Sequence, residues 1–304
     1  VALGDVEFLE VAPREPFHAV VVGGRWVVVP DRVRDIVSGN VPVGSLIVYD
    51  STTDTAEGWK GLGNENVVAA TSNYAWVVSH ASTTRSVRSL LRFRPSTSAS
   101  TTFSVPGLTS ESVIVAVGDS TLWIFDRTFG SSPYVDPQVF DIASGTFGSY
   151  SGPGVRIQSA CWDGGSYIYA FGPSNLYRFD VSTGSYTTMS PTTYSSPDIT
   201  LTTFHAGAIW WGLSNVAKRY DPATNTVSSV YTYGGGGNHI NGGFVADTDG
   251  FLYGVIRGTD SIAVVDPGTL SGGTEPLPTS RSYRSAIASI GDKLYMPAGA
   301  PLTR

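Results

Sequence analysis

The sequence predicts an all-β chain in which one sheet-sized unit is repeated seven times around a common axis, and three observations predict it. A strand carrying an aromatic residue recurs as GRWVVVP from Gly24, YAWVVSH from Tyr74, TLWIFDR from Thr121, SYIYAFG from Ser166, AIWWGLS from Ala208, FLYGVIR from Phe251 and KLYMPAG from Lys293. With Trp26, Trp76, Trp123, Tyr169, Trp211, Tyr253 and Tyr295 taken as equivalent, the steps are 50, 47, 46, 42, 42 and 42 residues. Before each copy stand a strand of small and β-branched residues and a short turn, while helix-period patterning is almost absent. Units of about 40–50 residues holding several strands are what propeller blades produce. The expectation is a seven-bladed β-propeller spanning residues 1–304 as one domain, because a repeat running from end to end leaves no place for a boundary. Six blades is the alternative if the terminal strands pack elsewhere.

The first strand of each unit reads AVVVG from Ala19, VVAAT from Val67, VIVAVG from Val113, RIQSA from Arg156, ITLTTF from Ile199, GGFVAD from Gly242 and SAIASIG from Ser285. Small residues suit the innermost strand, where all blades crowd toward one axis. The turns that follow, such as Ser72-Asn73, Gly118-Asp119 and Asp249-Gly250, use residues that reach positive φ cheaply. A third strand ends in an aspartate turn in LIVYDSTTDT from Leu46, QVFDIASGTF from Gln138, LYRFDVSTGSY from Leu176, AKRYDPATNTV from Ala217 and IAVVDPGTL from Ile262. Asp50, Asp141, Asp180, Asp221 and Asp266 are expected to accept backbone N–H bonds two residues on, as Asx-turns do, with Arg94 standing in their place in the second unit. Short fourth strands fall around Thr55–Trp59, Phe147–Tyr150 and Thr226–Tyr231. The leading segment DVEFLEV from Asp5 is expected to join the C-terminal pair of strands, so that both termini share one blade and latch the ring. Closure removes sheet edges that would otherwise be open.

The phrase of an aromatic strand followed by an aspartate turn, with DPATNTV from Asp221 as its closest copy, resembles Kelch-type and related sugar- or protein-binding propellers. The double glycine that Kelch repeats carry after the second strand is missing from every unit. In its Ser/Thr/Gly-rich, lysine-poor texture the chain is also similar to propeller domains of bacteriophage tail-tip or receptor-binding proteins. That resemblance implies a virion or extracellular surface location and a host envelope glycan, a host protein or a neighbouring virion subunit as partner.

Composition narrows the functions. The net charge is −6, from 19 basic and 25 acidic residues, and no basic stripe marks a nucleic-acid partner. Apolar runs such as Val27 to Val29 are far too short to enter a bilayer as a spanning helix. The single cysteine, Cys161, excludes an intrachain disulfide framework and a cysteine zinc cluster, and its setting IQSACW reads as core. No Asn-x-Ser/Thr sequon occurs, and 16 arginines against 3 lysines hint at a GC-rich microbial or viral source.

In a propeller, the loops joining one blade to the next meet on one face, so residues at the starts of inner strands converge there. His18, Glu65 with Asn66, Glu111, Arg156, Asp198, His239 with Asn241, and Arg284 are therefore the candidate ligand-binding residues of an axial funnel. Loops after the second strands add Asp31, Arg32, Arg34, His80, Arg85, Asp126, Arg127 and Arg257. Mixed charge at a channel mouth suits a sugar, a peptide or a polar small molecule; the plainer alternative is a wet rim whose charges pair with one another. His18, His80 and His239 share this face, but their spacing is not that of a zinc site, and neither a metal nor a cofactor is expected. His205 falls at the opposite end as a turn residue. The run GGGGN at Gly234 lacks the Gly-Lys-Ser/Thr of a phosphate loop and reads as a connector that could flex over the funnel, and DTDG at Asp247 reads as a hairpin turn. Trp59, Tyr134, Tyr150, Tyr231 and Tyr233 fall in outer strands or loops, where blade packing or sugar stacking is the choice. No Gly-x-Ser-x-Gly elbow or HExxH helix appears. The function expected is a non-catalytic recognition or assembly module. Its rivals are a lyase or hydrolase using His18, Glu111, Arg156 and His239, and a purely structural virion subunit.

Overall fold

The computed structural model describes residues 6–9, 17–22, 25–30, 46–50, 53, 55–59, 65–80, 88–107, 112–127, 134–191, 202–234, 239–257, 259, 261–276, 288–290 and 293–297. They form a β-propeller. Strand β1 (Val6–Leu9) precedes the first full sheet, which runs β2 (Phe17–Val22), β3 (Arg25–Pro30), β4 (Leu46–Asp50), β5 (Thr55–Trp59). The second sheet is β6 (Glu65–Ala70), β7 (Ala75–His80), β8 (Arg88–Arg94), β9 (Ala99–Ser104). The third is β10 (Ser112–Val117), β11 (Thr121–Asp126), β12 (Gln138–Asp141), β13 (Thr146–Ser149), and the fourth is β14 (Ser159–Trp162), β15 (Tyr167–Phe171), β16 (Leu176–Asp180), β17 (Tyr186–Met189). The fifth is β18 (Thr203–His205), β19 (Ala208–Leu213), β20 (Val216–Asp221), β21 (Thr226–Thr232). The sixth is β22 (His239–Ala246), β23 (Leu252–Arg257), β24 (Ser261–Asp266), β25 (Ser271–Pro276). The last is β26 (Ala288–Ile290) and β27 (Lys293–Pro297), with β1 added at its outer side.

Each four-stranded sheet is an antiparallel meander, and its first strand faces its counterparts. β2 lies beside β6, β6 beside β10, β10 beside β14, β14 beside β18, β18 beside β22, β22 beside β26, and β26 beside β2 again. The inner strands thus close a ring. One end of it, the loop face, receives the starts of the inner strands; the other, the turn face, carries the hairpin turns that follow them.

The latch forms as the sequence predicts, with one feature beyond it. Val6 to Leu9 pair with Leu294 to Pro297 in parallel, whereas the other sheet partners are antiparallel. The direction follows from connectivity. β1 precedes β2 as each fourth strand precedes the next inner strand, and a fourth strand runs parallel to the second strand of its sheet. Strand β1 keeps that direction but pairs with the second strand itself.

Apolar clusters fill the wedges between neighbouring sheets. Trp76, Leu90 and Phe140 join the second and third sheets, Trp123, Ile168 and Phe179 the third and fourth, Tyr169, Trp211 and Tyr220 the fourth and fifth, and Trp210, Ile240 and Leu252 the fifth and sixth. Register corrects two equivalences. Trp26 stands opposite Tyr49, one residue before Asp50, so Val27, opposite Val48, is the equivalent position in the first sheet. Trp210, not Trp211, stands opposite Arg219, two residues before Asp221, as Trp76 stands opposite Arg92 and Tyr169 opposite Arg178. A one-residue offset reverses the face of a strand residue, so Trp210 packs toward the sixth sheet and Trp211 back toward the fourth. The opposed arginines lie over the indoles, Arg92 at 5.9 Å from Trp76 and Arg219 at 5.9 Å from Trp210.

The aspartate turns also form. Asp180 accepts the Ser182 N–H at 2.9 Å, Asp221 the Ala223 N–H at 2.9 Å, Asp266 the Gly268 N–H at 2.8 Å and Asp141 the Ser144 N–H at 2.7 Å, while Asp50 pairs with Arg25 at 2.8 Å. Four residues after the aspartate, or after Arg94, the backbone is left-handed: Ser98 (φ 61), Gly145 (φ 71), Gly184 (φ 72), Asn225 (φ 53) and Leu270 (φ 54). Leu270 is the residue least suited to that position, because left-handed backbone costs an L-residue roughly 1–2 kcal/mol and glycine's looser unfolded chain offsets about 0.5–1 of it. Leu270→Gly is expected to raise the unfolding free energy by about 0.5–1 kcal/mol in urea titration. At the equivalent Gly184 an added Cβ would sit 1.9 Å from the Tyr150 ring, so Gly184→Ala is expected to destabilise in the same assay; equal effects at the two sites would contradict this reading.

Candidate functional site

The loop face is where the inner strands bring the expected residues. His18 is the second residue of β2, Glu65 and Asn66 open β6, and His239 opens β22 with Asn241 two residues on. The ladder places Glu65 opposite His80 and His80 opposite Arg88, so an acid, an imidazole and a guanidinium residue form one row across the second sheet. On the sixth sheet His239 stands opposite Arg257. Directly opposed residues share a sheet face with Cβ atoms about 4.5–5.5 Å apart. Glu111, Asp198 and Arg284 lie outside the described residues, as do Asp31, Arg32, Arg34, Arg85 and the connector from Gly235 to Asn238.

Strands β22 and β14 start elsewhere than their patterns suggest. Strand β22 extends back to His239 because a bulge between Asn241 and Phe244 absorbs Gly242 and Gly243 and lets the ladder continue. Strand β14 begins only at Ser159. Ahead of it, the Ile157 N–H donates to the Asp126 carbonyl at 2.8 Å and the Gln158 N–H to the Phe171 carbonyl at 2.7 Å. Half-buried Arg156 is thereby held where the ends of the third and fourth sheets meet.

Buried polar residues gather at the loop-face ends of the third, fourth and fifth sheets. Of the eight buried polar or charged residues among those described, seven stand at the loop-face end: Ser112, Asp126, Arg127, Gln138, Gln158, Ser159 and Thr202. Asp126, 3% exposed, accepts the Val135 N–H at 3.2 Å and so fixes the chain leading into β12. Gln138 Nε2 donates to the Asp136 carbonyl at 3.0 Å. Ser159 Oγ accepts the Thr202 N–H at 3.1 Å and lies 3.0 Å from Thr202 Oγ1, which ties the fourth sheet to the fifth. Buried polar groups satisfied in this way stiffen the framework that carries them. Asp126 and Arg127 were legible as loop-face charges. Ser112, Gln138, Gln158, Ser159 and Thr202 were missed because they carry no charge, although Ser112 and Ser159 open inner strands and that position was the signal.

Other residues take structural places. His205 Nε2 donates to the Gly250 carbonyl at 3.1 Å on the turn face, as expected of a turn residue. The Asp247 segment is a hairpin turn, with the Asp247 N–H bonded to the Phe251 carbonyl at 3.0 Å. Tyr150 stacks on Trp123 at 5.2 Å, and buried Tyr233 donates its hydroxyl to the Val264 carbonyl at 3.1 Å, so both serve blade packing; Tyr231 stays 37% exposed. Among the described residues no three His, Cys, Asp or Glu side chains group closely enough to hold a metal ion, and no helix is long and apolar enough to cross a membrane.

Cys161 sits in β14 at 8% exposure, and burial pushes its thiol up to about 12, outweighing the opposing hydrogen bond to Thr202. The thiolate is the reactive form, so the folded protein is expected to resist iodoacetamide at pH 8 and to label fully once denatured. Rapid labelling of the native chain, read by mass spectrometry, would contradict the burial.

The sequence matches no family model and no curated protein. Solved structures do resemble the fold. Virginiamycin B lyase from Staphylococcus aureus matches with a TM-score of 0.71 at 12% identity, covering 93% of this chain and 92% of the lyase. A catalytically inactive variant of that lyase with Quinupristin matches at 0.70 and 12% identity, covering 94% and 93%. The extracellular domain of a one component system from B. thetaiotaomicron matches at 0.58 and 14% identity over 90% of this chain, which spans only 35% of that domain. At these identities the likeness is one of fold.

Proposed function

We propose that this propeller is a non-catalytic recognition or assembly module that binds a polar surface ligand, a glycan or a protein of a host envelope, at its loop face. The observation that carries the reading is the buried polar set: seven of eight buried polar side chains among the described residues stand at the loop-face ends of the third, fourth and fifth sheets, on the same face as the inner-strand starts of the other sheets that hold His18, Glu65, Asn66, His239 and Asn241. A rigid polar rim is organised before a ligand arrives, which lowers the ordering cost of binding. Glu111, Arg156, Asp198 and Arg284 complete the set. Exposure outside a cell or on a virion agrees with the lysine-poor composition and with the extracellular domain that shares the fold. The aspartate-turn repeat supports a place beside Kelch-type binding propellers, and the texture supports one beside phage tail-associated propellers, with neighbouring virion subunits as further partners.

The test is binding of labelled protein to a glycan array and to intact bacterial envelopes, with Arg156→Ala/His239→Ala as control. Saturable binding that weakens at least tenfold in the double variant is expected, a loss of about 1.4 kcal/mol or more. Binding that the variant retains in full would move recognition away from the loop face. Turnover of a ligand, lost in the same variant, would replace the reading with an enzyme using the funnel.

A further inference from the structure

The axial channel also opens on the turn face, and a cavity of about 350 Å³ lies there. It is walled by residues at the ends of consecutive inner strands, Val21, Ala70 and Ala116, with Gly118 in the third hairpin turn. Half-buried Trp162 closes one side. Its Nε1 donates to the Gly165 carbonyl at 2.9 Å, which turns the pyrrole edge into its own hairpin and leaves the far ring edge reaching toward Gly118; a Cβ there would lie 3.7 Å from Trp162 Cη2. Asp119 stands beside it, its Oδ1 accepting the Ser72 N–H at 2.7 Å from the neighbouring sheet. Hydrogen bonding from Ser72 holds the Asp119 carboxyl below its ordinary value, so it is charged at neutral pH.

The hydrogen-bond inventory decides which ligand fits. Two side-chain donors of the lining are engaged, Thr71 Oγ1 with the Tyr74 carbonyl while it accepts Trp76 Nε1, and Trp162 with Gly165. What remains is a carboxylate, the Ser72 hydroxyl, an aromatic surface and small apolar walls. A sugar needs several donors as well as acceptors, and an anion would meet a like charge. A cation on a small apolar body satisfies both the carboxylate and the indole. We propose that the turn-face mouth of the channel binds a small organic cation, an ammonium on a short alkyl body, with Asp119 as its counter-charge and Trp162 covering the alkyl chain. The cavity is at the lower end of the roughly 300–1,000 Å³ usual for small-molecule sites, and it lies at the opposite mouth from the loop-face rim.

The Trp162 indole N–H resonance of ¹⁵N-labelled protein, identified with Trp162→Phe, reports occupancy directly. Titration with n-butylammonium chloride is expected to give a saturable shift, with n-pentanol and butyrate at least tenfold weaker. Asp119→Asn, whose amide oxygen can still accept the Ser72 N–H, is expected to lose at least tenfold in affinity, while Arg156→Ala/His239→Ala leaves the titration unchanged. Equal responses to the three probes, an unaltered Asp119→Asn, or no shift up to about 100 mM ligand would each overturn the proposal.

Discussion

Everything in this molecule depends on the convergence of its inner strands. Each inner strand has counterparts on both sides, so the space near the axis admits only small side chains and the space between sheets widens outward. Val, Ala and Ser fill the narrow part; aromatic residues of the second and third strands fill the wedges. Trp76, Trp123, Trp210 and Trp211 are all essentially buried, and truncating such a side chain to alanine typically costs about 3–5 kcal/mol. Among the described residues the ring is held by apolar clusters between neighbouring sheets.

That arrangement leaves the two ends free to differ. At the turn face the chain reverses within a few residues, so its aspartates are consumed by their own turns: Asp141, Asp180, Asp221 and Asp266 accept from the residues that follow them. A ring of acids that looks available in the sequence is mostly turn chemistry. Asp119 is different, since its partner Ser72 belongs to the neighbouring sheet and the carboxylate faces the channel mouth. At the loop face the connections are longer and polar side chains are drawn inward, as Asp126, Ser159 and Thr202 show. A propeller fold hosts many activities, and the chemistry of these two rims carries the functional assignment.

Much of this was legible because the repeat encodes local rules. Strand, turn, aromatic strand and aspartate turn are each short-range patterns, and β5 (Thr55–Trp59) matches its expected span residue for residue. What escaped depends on longer-range facts. Two adjacent tryptophans cannot be ranked by pattern alone, and only pairing with β20 identifies Trp210 as the equivalent of Trp76. The bulge at Gly242–Gly243 and the late start of β14 depend on which carbonyls wait on the neighbouring strand. The terminal latch was readable as a strand in search of a partner, but its parallel direction follows from ring connectivity. At the candidate site, charge made the funnel residues visible, and uncharged Ser112, Gln138, Gln158, Ser159 and Thr202 went unread for the same reason.

The central claim is that the ring is closed by β1 pairing with β27. Native-state hydrogen exchange on the backbone amides of Val6–Leu9 and Leu294–Met296 tests it most directly. The two sets are expected to exchange together and slowly, in the same cooperative opening as the inner strands. Exchange of Val6–Leu9 at free-peptide rates, with Leu294–Met296 still protected, would contradict closure by this latch.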